Sequence, residues 1–170
     1  VVVGLLVALL PAACAPTAEP PAKEKVVKIG MTACFTGPYA LLVHKATPGT
    51  FDYIRYINEG GGFDGVKLNL LWADDHGEAA PGVIAYKKFL GAGMVSFFTQ
   101  GSSVLMGVSE LAKRDHIPCV SSAASESLYA PDSWCYEIWG SSTRWYCAGL
   151  KWIHEVQWDY DKMGRASRIA

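Results

Sequence analysis

Apolar residues follow two different spacings along most of the chain. Short runs with strand-like alternation are separated by longer segments in which apolar residues recur every three or four positions, as expected of helices. Predicted strands cover residues 26–31, 66–72, 94–98, 117–121 and 134–139, and predicted helices cover 46–58, 81–90, 104–114 and 143–156. Because strands alternate with helices, the pattern predicts βαβ units, a parallel sheet and an α/β fold.

The start of the first predicted helix depends on Pro48. Thr47 and Pro48 could form its N-terminal cap and first residue, since proline fits the first turn of a helix. If the helix begins earlier, Pro48 lies inside it and is expected to kink it. Gly60, Gly61 and Gly62 are expected to end the helix.

Residues 94–103 contain the pattern that most suggests a binding site. An apolar strand runs into Gly101, Ser102 and Ser103, and the next helix opens at one of the two serines. A helix N-terminus carries unpaired backbone N–H groups, which attract anions. The next strand ends in a second hydroxyl-rich loop, residues 121–125, and such loops face one crevice in a parallel sheet. The two loops either share a ligand site or are ordinary turns, in which glycine and serine are common.

Composition indicates a globular protein. Of the 170 residues, 51% are hydrophobic and 18% are charged, and the net charge is -1. This length is enough for one domain with its own core. Because there is no basic excess and no lysine/arginine cluster, we expect no nucleic-acid partner. The first residue is Val1 rather than methionine, and we expect the sequence to be a fragment of a longer protein.

The first 25 residues differ in character from the rest. Residues 1–13 are almost wholly apolar and are interpreted as part of a signal peptide, because the run is too short to span a bilayer. Cys14 follows two alanines, which resembles the lipobox of bacterial lipoproteins, although Pro11 departs from that motif. Residues 14–25 are therefore predicted to be a lipidated cysteine and a tether rich in proline, alanine and charge. The alternative is an ordinary signal peptide in which Cys14 has no role.

Metal and catalytic chemistry have little support in the sequence. Asp74, Asp75 and His76 could supply oxygen ligands to a cation, but a solvated turn at the end of a strand is the favoured interpretation. Ser102 lacks the Gly-x-Ser-x-Gly motif of a nucleophile elbow, and no histidine motif links it to a base. We therefore predict no metal site, no cofactor and no catalytic residue.

Several short motifs follow one another in a characteristic order. They are Thr36-Gly37-Pro38 after the first strand, Gly49, Ile57-Asn58 ahead of Gly60-Gly61-Gly62, Asp74-Asp75 after the second strand, Gly101-Ser102-Ser103 and Ser122-Ala123-Ala124-Ser125. Together they resemble the amino-terminal lobe of the periplasmic substrate-binding proteins of branched-chain amino acid ABC transporters, the leucine/isoleucine/valine-binding-protein-like family. The resemblance covers residues 26–170 and implies a periplasmic binding protein type I fold. In that fold this chain would be one three-layer parallel-sheet lobe, ending near the crossover to a second lobe that is missing.

The resemblance implies transport rather than catalysis. Members of the family trap a small ligand between two lobes and pass it to the membrane permease of an ABC transporter, without an enzymatic step. For this chain it implies binding of a small amino acid or related amide. With a lipid on Cys14, the protein would be held at the membrane in the periplasm or at the cell surface. The alternative function is the ligand-sensing domain of a receptor, because the same bilobed fold serves there.

The ligand-binding positions of the family transfer to two loops of this sequence. The Gly-Ser-Ser turn presents a hydroxyl and backbone N–H groups to the ligand carboxylate, which points to Ser102, or to Ser103 if the alignment shifts by one. The loop after the fourth strand offers a carbonyl and a hydroxyl to the ammonium and the carboxylate, which points to Ala123 and Ser125.

The turn after the first strand lines the crevice in the family, which points to Phe35, Tyr39 or both. Two positions depart from the family pattern. Val43 replaces a frequent glycine, and Gly101 stands where some members have a cysteine, so no disulfide can form there.

The remaining cysteines and tryptophans suggest packing rather than chemistry. Export would permit disulfides, but no two cysteines show framework spacing, so buried free thiols are expected. The cysteines after Cys14 are Cys34, Cys119, Cys135 and Cys147. Most tryptophans of residues 134–158 are expected in the core or against a second lobe, although Trp145 and Tyr146 could reach the crevice.

Overall fold

A five-stranded parallel sheet forms the centre of the computed structural model, which describes residues 24–122, 125–128 and 130–164. The sheet has the order β2-β1-β3-β4-β5, so the chain reverses its direction of winding at β1. This confirms the predicted α/β lobe with a parallel sheet. The strands are β1 (Lys25–Ala33), β2 (Val66–Asp74), β3 (Met94–Thr99), β4 (Cys119–Ser121) and β5 (Cys135–Glu137). The helices are α1 (Ala40–Glu59), α2 (Ala79–Gly91), α3 (Ser102–Asp115), α4 (Ser142–Trp152) and α5 (Tyr160–Met163), with a 3-10 turn at Glu126–Leu128 and a π-helical turn at Ile153–Gln157.

Helices α2 and α3 pack together on one face of the sheet and form the main core. The ring of Tyr86 in α2 stands edge-on to that of Phe97 in β3, with 5.3 Å between the ring centroids. A β-carbon at Gly82 would lie 2.4 Å from a methyl carbon of Val104, so this glycine permits the close approach of the two helices. The fully buried side chains of this core include Tyr86, Phe97, Val104, Leu105, Val108 and Cys119.

Helix α1 covers the opposite face, where Phe51 contacts Trp72 of β2 edge-on at 5.8 Å between ring centroids. The helix begins at Ala40, so a start at Thr47 and Pro48 is wrong, and the alternative of an earlier start with Pro48 inside the helix is confirmed. Thr47 is fully buried, and Val43 one turn earlier is buried as well. Burial of this helix face stabilises the additional turns, even though Pro48 lacks the N–H that a helix interior normally uses.

The end of α1 agrees with the sequence prediction. Gly61 and Gly62 have φ of 99° and 81°, and a β-carbon at Gly62 would lie 2.2 Å from the carbonyl oxygen of Val66. Asn58 then fixes the helix end to β2, because its amide donates to the carbonyl of Leu68 and accepts from the backbone N–H of Leu68, both at 2.8 Å. The glycine run is therefore required both for the left-handed turn and for the close approach of the chain.

The region after β5 is packed differently. The side chains of residues 143–152 are all exposed, so α4 buries none of them against the sheet. Trp134 packs against the core, with its ring 5.1 Å from that of His116, whereas Trp139, Trp145 and Trp152 are exposed. Among these four, only Trp134 lies in the core, and packing of the other three against a second lobe stays a prediction.

The cysteines of the described residues are all free thiols. Cys34, Cys119 and Cys135 are buried, as predicted, and burial raises the pKa of the Cys119 thiol. Cys147 is exposed, so the prediction of burial is wrong for this residue, because it lies on the uncovered helix α4. Cys14 and its surrounding residues lie outside the described part of the chain.

None of the helices in the described ranges is both long enough and apolar enough to cross a membrane.

Candidate functional site

The candidate site lies at the carboxyl edge of the sheet, where the loops that follow β1, β2, β3 and β4 come together. Because β1 is flanked by β2 and β3, the connections from β1 and β3 lead to opposite faces of the sheet. In an open α/β sheet such a reversal leaves a crevice at the carboxyl ends of the strands, where ligands bind.

The N-terminus of α3 contributes the polar groups of the β3 loop. Gly101 is the N-cap residue, and no side chain caps the helix. The backbone N–H of Gly101 donates to the hydroxyl of Thr99 at 3.2 Å, which fixes the turn. Ser102 is exposed, and within the described residues its hydroxyl makes no hydrogen bond. The open first turn and this hydroxyl can therefore both donate to an anion.

Ser103 has a different environment from Ser102. Its hydroxyl donates to the carbonyl oxygen of Gly77 at 3.0 Å, which joins α3 to the loop between β2 and α2. Of the two serines that the sequence left open, only Ser102 has an uncommitted hydroxyl in this structure.

The two aromatic residues predicted from the first turn occupy different places. Phe35 packs its ring against Trp72 and His44, with centroid distances of 5.2 and 6.4 Å, so the ring belongs to the layer between α1 and β2. Tyr39 is the N-cap residue of α1 and is 62% exposed. Its ring carbon Cδ2 lies 3.5 Å from the position that a β-carbon would take at Gly77. Tyr39 therefore stands beside the same glycine that Ser103 binds.

The loop after β4 is described only in part. Ala123 lies outside the described residues. Ser125 is exposed, and its hydroxyl lies 3.0 Å from that of Ser127. The structure thus brings Ser102, Ser103 and Tyr39 to one edge, and it places Ser125 on the loop that leaves the neighbouring strand β4.

The sequence analysis named the loop after β2 but did not assign it to the ligand site. Asp74 accepts hydrogen bonds from the backbone N–H groups of Phe35, Thr36 and His76 and from the Thr36 hydroxyl, at 2.6 to 3.0 Å. Burial opposes ionisation of Asp74, but these hydrogen bonds and the nearby His76 outweigh it and lower its pKa. The carboxylate therefore holds the β1 and β2 loops together.

Asp75 corrects the interpretation of this segment as a solvated turn. It is only 1% exposed, because the chain turns back over the end of β1, where the Asp75 N–H donates to the carbonyl of Ala33. Its Oδ1 accepts the N–H of Gly77 at 2.9 Å, whereas Oδ2 has no partner among the described residues. The paired aspartates were visible in the sequence, but nothing in the sequence indicated the burial of Asp75.

The described residues contain no group of three or more histidine, cysteine, aspartate or glutamate side chains placed to hold a metal ion.

Comparison with known proteins agrees with this architecture. The family model described as "Periplasmic binding protein" matches residues 26–157. The chain is similar to the Leu/Ile/Val-binding protein homolog 3 of Brucella melitensis, with 32% identity over 102 residues, which are 58% of this chain and 27% of that protein.

Two solved structures share the fold at lower identity. The structure of a branched chain amino acid ABC transporter from Thermus thermophilus with bound valine has a TM-score of 0.72 and 18% identity, over 77% of this chain and 35% of that one. The fatty acid ABC transporter substrate-binding protein from Thermomonospora curvata has a TM-score of 0.69 and 21% identity, over 81% of this chain and 35% of that one. The chain therefore spans about a third or less of the length of each of these proteins, and it belongs to the periplasmic binding protein family.

Proposed function

We propose that the full-length protein is an extracytoplasmic solute-binding protein that captures a small zwitterion, an amino acid or a related amide, between this lobe and a second one. It then delivers the ligand to the permease of an ABC transporter. The observation that carries this proposal is the uncapped N-terminus of α3, where the exposed Ser102 hydroxyl has no partner among the described residues. Membership of the periplasmic binding protein family supports the transport role.

The chemistry of this helix end suits a carboxylate. A carboxylate that leaves water must be satisfied by hydrogen bonds. Backbone N–H groups at a helix N-terminus and adjacent hydroxyls provide them without a formal positive charge. The loop after β4, with the carbonyl of Ala123 and the hydroxyl of Ser125, is proposed to bind the ammonium and carboxylate groups.

Calorimetry on the full-length protein tests the carboxylate site. Hydrogen bonds to charged groups are worth about 1.5–3 kcal/mol, so loss of one hydroxyl should reduce amino-acid affinity roughly ten- to a hundredfold. Ser102→Ala and Ser125→Ala should each show this loss. The matched control is Ser109→Ala on the same helix α3, because Ser109 is partly exposed and, within the described residues, its hydroxyl bonds only the carbonyl of Met106 in its own helix. Equal affinity of all three variants would reject the site, and absence of binding by any amino acid or amide would reject the ligand class.

Ser103→Ala separates direct binding from positioning. In this structure its hydroxyl is committed to Gly77. If Ser102 alone contacts the ligand, Ser103→Ala should affect affinity less than Ser102→Ala does. A larger effect of Ser103→Ala would assign the contact to Ser103 instead.

The proposed role requires no chemical turnover. Purified full-length protein should therefore return bound ligand unchanged, as judged by mass spectrometry. Steady product formation from an amide or ester that is lost in Ser102→Ala would contradict a purely binding function.

Lipidation of Cys14 is proposed as the means of retention at the membrane. A single lipid chain gives only marginal membrane binding, and bacterial lipoproteins of the kind the N-terminal motif resembles carry several. Expression of the complete gene with Cys14→Ser should move the protein from the membrane fraction to the soluble fraction. Unchanged partitioning would reject the anchor while leaving the ligand site untested by this experiment.

A further inference from the structure

A cleft of about 540 Å³ lies beyond the predicted site, between the end of β5, the segment before it and the start of α4. Its polar lining consists of Glu126, Ser133, Tyr136, Glu137, Ser141 and Arg144. The hydroxyls of the two serines each form a hydrogen bond within the chain. Ser133 accepts the N–H of Cys135 at 3.0 Å, and Ser141 accepts the N–H of Arg144 at 3.3 Å.

Glu137 has a polar atom that is both shielded from solvent and without a hydrogen bond in the described part of the chain. One of its carboxylate oxygens, Oε1, is shielded from solvent and has no hydrogen-bond partner among the described residues. The other carboxylate, Glu126, already contacts the guanidinium of Arg144 at 3.4 Å. Because Arg144 pairs with Glu126, the formal charge that remains in the cleft is the negative charge of Glu137. A shielded carboxylate oxygen without a donor is costly, so this position favours a ligand that brings a positive charge and N–H groups.

The register of the sheet places Glu137 in line with the amino-acid site. Glu137 pairs with Ser121 of β4, Ser121 pairs with Thr99 of β3, and Thr99 pairs with Thr32 of β1. Register partners in adjacent parallel strands carry their side chains on the same face of the sheet. Thr32, Thr99 and Ser121 are fully buried, and the hydroxyls of Thr32 and Thr99 lie 3.2 Å apart. The row of hydroxyls thus ends in the carboxylate of Glu137, at the level where the chain turns from β3 into α3.

The spacing along this row matches an extended basic amino acid. Adjacent strands are about 4.8 Å apart, so β5 lies about 10 Å from β3. In an extended lysine the carboxylate carbon and the terminal nitrogen are separated by about 7 Å, to which hydrogen bonds of about 3 Å are added. The ligand carboxylate at α3, its ammonium at the β4 loop and a side-chain cation at Glu137 would then follow the strand order β3-β4-β5.

We propose that Glu137 binds a cationic group on the side chain of the ligand, so that the preferred ligand is a basic amino acid or its amide rather than an aliphatic one. This inference rests on the proposed function, because it assigns a second contact to the same ligand.

Binding of L-lysine and L-norleucine to the full-length protein tests the inference by calorimetry. The two amino acids have similar chain lengths, but only lysine carries the side-chain cation. Wild-type protein should bind lysine at least tenfold more tightly than norleucine. Glu137→Gln removes the charge with little change of shape, and it should reduce lysine affinity ten- to a hundredfold while norleucine affinity changes less than twofold.

Two further variants distinguish failure of this inference from failure of the proposed function. Glu126→Gln is the control for a general charge effect in the cleft, and it should change the lysine-to-norleucine ratio less than Glu137→Gln does. Ser102→Ala should weaken both ligands equally, since it acts on the shared carboxylate. The inference is overturned if wild type binds lysine no better than norleucine, or if Glu137→Gln leaves their ratio unchanged; binding of norleucine or leucine in that case would leave the proposed function standing. If wild type binds no amino acid or amide, both the proposed function and this inference fail.

Discussion

At the β2 end of the sheet, the carboxylate of Asp74 accepts four hydrogen bonds, whereas at the β5 end Glu137 has a shielded oxygen with no donor among the described residues. The packing of the helices also differs between the two ends. Helices α2 and α3 bury their apolar faces against the sheet, but the side chains of residues 143–152 in α4 are all exposed. The fully hydrogen-bonded carboxylate of Asp74 serves the fold, while the carboxylate of Glu137 lies in an open cleft and has capacity for a ligand. The following experiments probe this difference, from the largest expected effect on the free energy of unfolding to the smallest.

Truncation of a core aromatic residue should have the largest effect. Phe97 of β3 is fully buried and contacts Tyr86 of α2. Phe97→Ala should therefore reduce the free energy of unfolding by about 3–5 kcal/mol. Urea denaturation followed by circular dichroism measures this loss. A loss below about 1 kcal/mol would mean that the α2–α3 side is packed no better than the α4 region.

Asp74→Asn should cost about 1.5–3 kcal/mol at neutral pH, because the bonds that it breaks are made to a charged group. The pKa of Asp74 is lower in the folded protein than in the unfolded chain. Its stabilising contribution is therefore fully present above about pH 4 and is lost as the pH falls through the folded pKa. Denaturation between pH 7 and pH 3 should show a smaller acid-induced loss in Asp74→Asn than in wild type.

Asp52→Asn is the control for that experiment. Asp52 pairs with Arg55 on the surface of α1, and both side chains are largely exposed. Its replacement should change stability by less than about 1 kcal/mol at any of these pH values. An equal pH dependence in both variants would show that Asp74 is not the group responsible.

Asp75 tests whether an unpartnered oxygen is dispensable for folding. Asp75→Ala removes the acceptor of the Gly77 N–H and should cost about 1–3 kcal/mol, whereas Asp75→Asn keeps an oxygen acceptor and should cost less than about 1 kcal/mol. Thermal unfolding of the two variants measures the difference. Equal losses would indicate that both carboxylate oxygens are needed, contrary to the incomplete hydrogen bonding of Oδ2 in this structure.

Trp145→Ala should have the smallest effect, less than about 1 kcal/mol, although the side chain is larger than that of Phe97. Trp145 is 61% exposed, and its indole N–H donates to the carbonyl of Trp139 at 2.7 Å. Substitutions at exposed positions usually change stability little. A loss comparable with that of Phe97→Ala would mean that α4 is packed in solution, and the comparison between the two regions would no longer hold.

The sequence by itself determined the class of fold and the composition of two site loops. Alternation between strand and helix spacing is a local property, so the parallel sheet, the strand positions and the glycine stop of α1 could be predicted from it. The motif at Gly101 and Ser102 could also be recognised, because it too is a local property of the sequence. The start of α1 could not be decided in this way, because burial of Val43 and Thr47 in the folded protein outweighs the local signal of Pro48.

Only the tertiary structure decided which polar groups are satisfied. Asp74 and Asp75 are adjacent in sequence, yet Asp74 has both of its oxygens hydrogen-bonded and Asp75 only one. Ser102 and Ser103 are adjacent as well, but only Ser103 meets the carbonyl of Gly77. Glu137 carried no motif, and its relation to the hydroxyl row arises from pairing with Ser121, sixteen residues earlier in the chain. Hydrogen bonding depends on distances between atoms of different elements, and those distances are fixed only when the helices and strands pack.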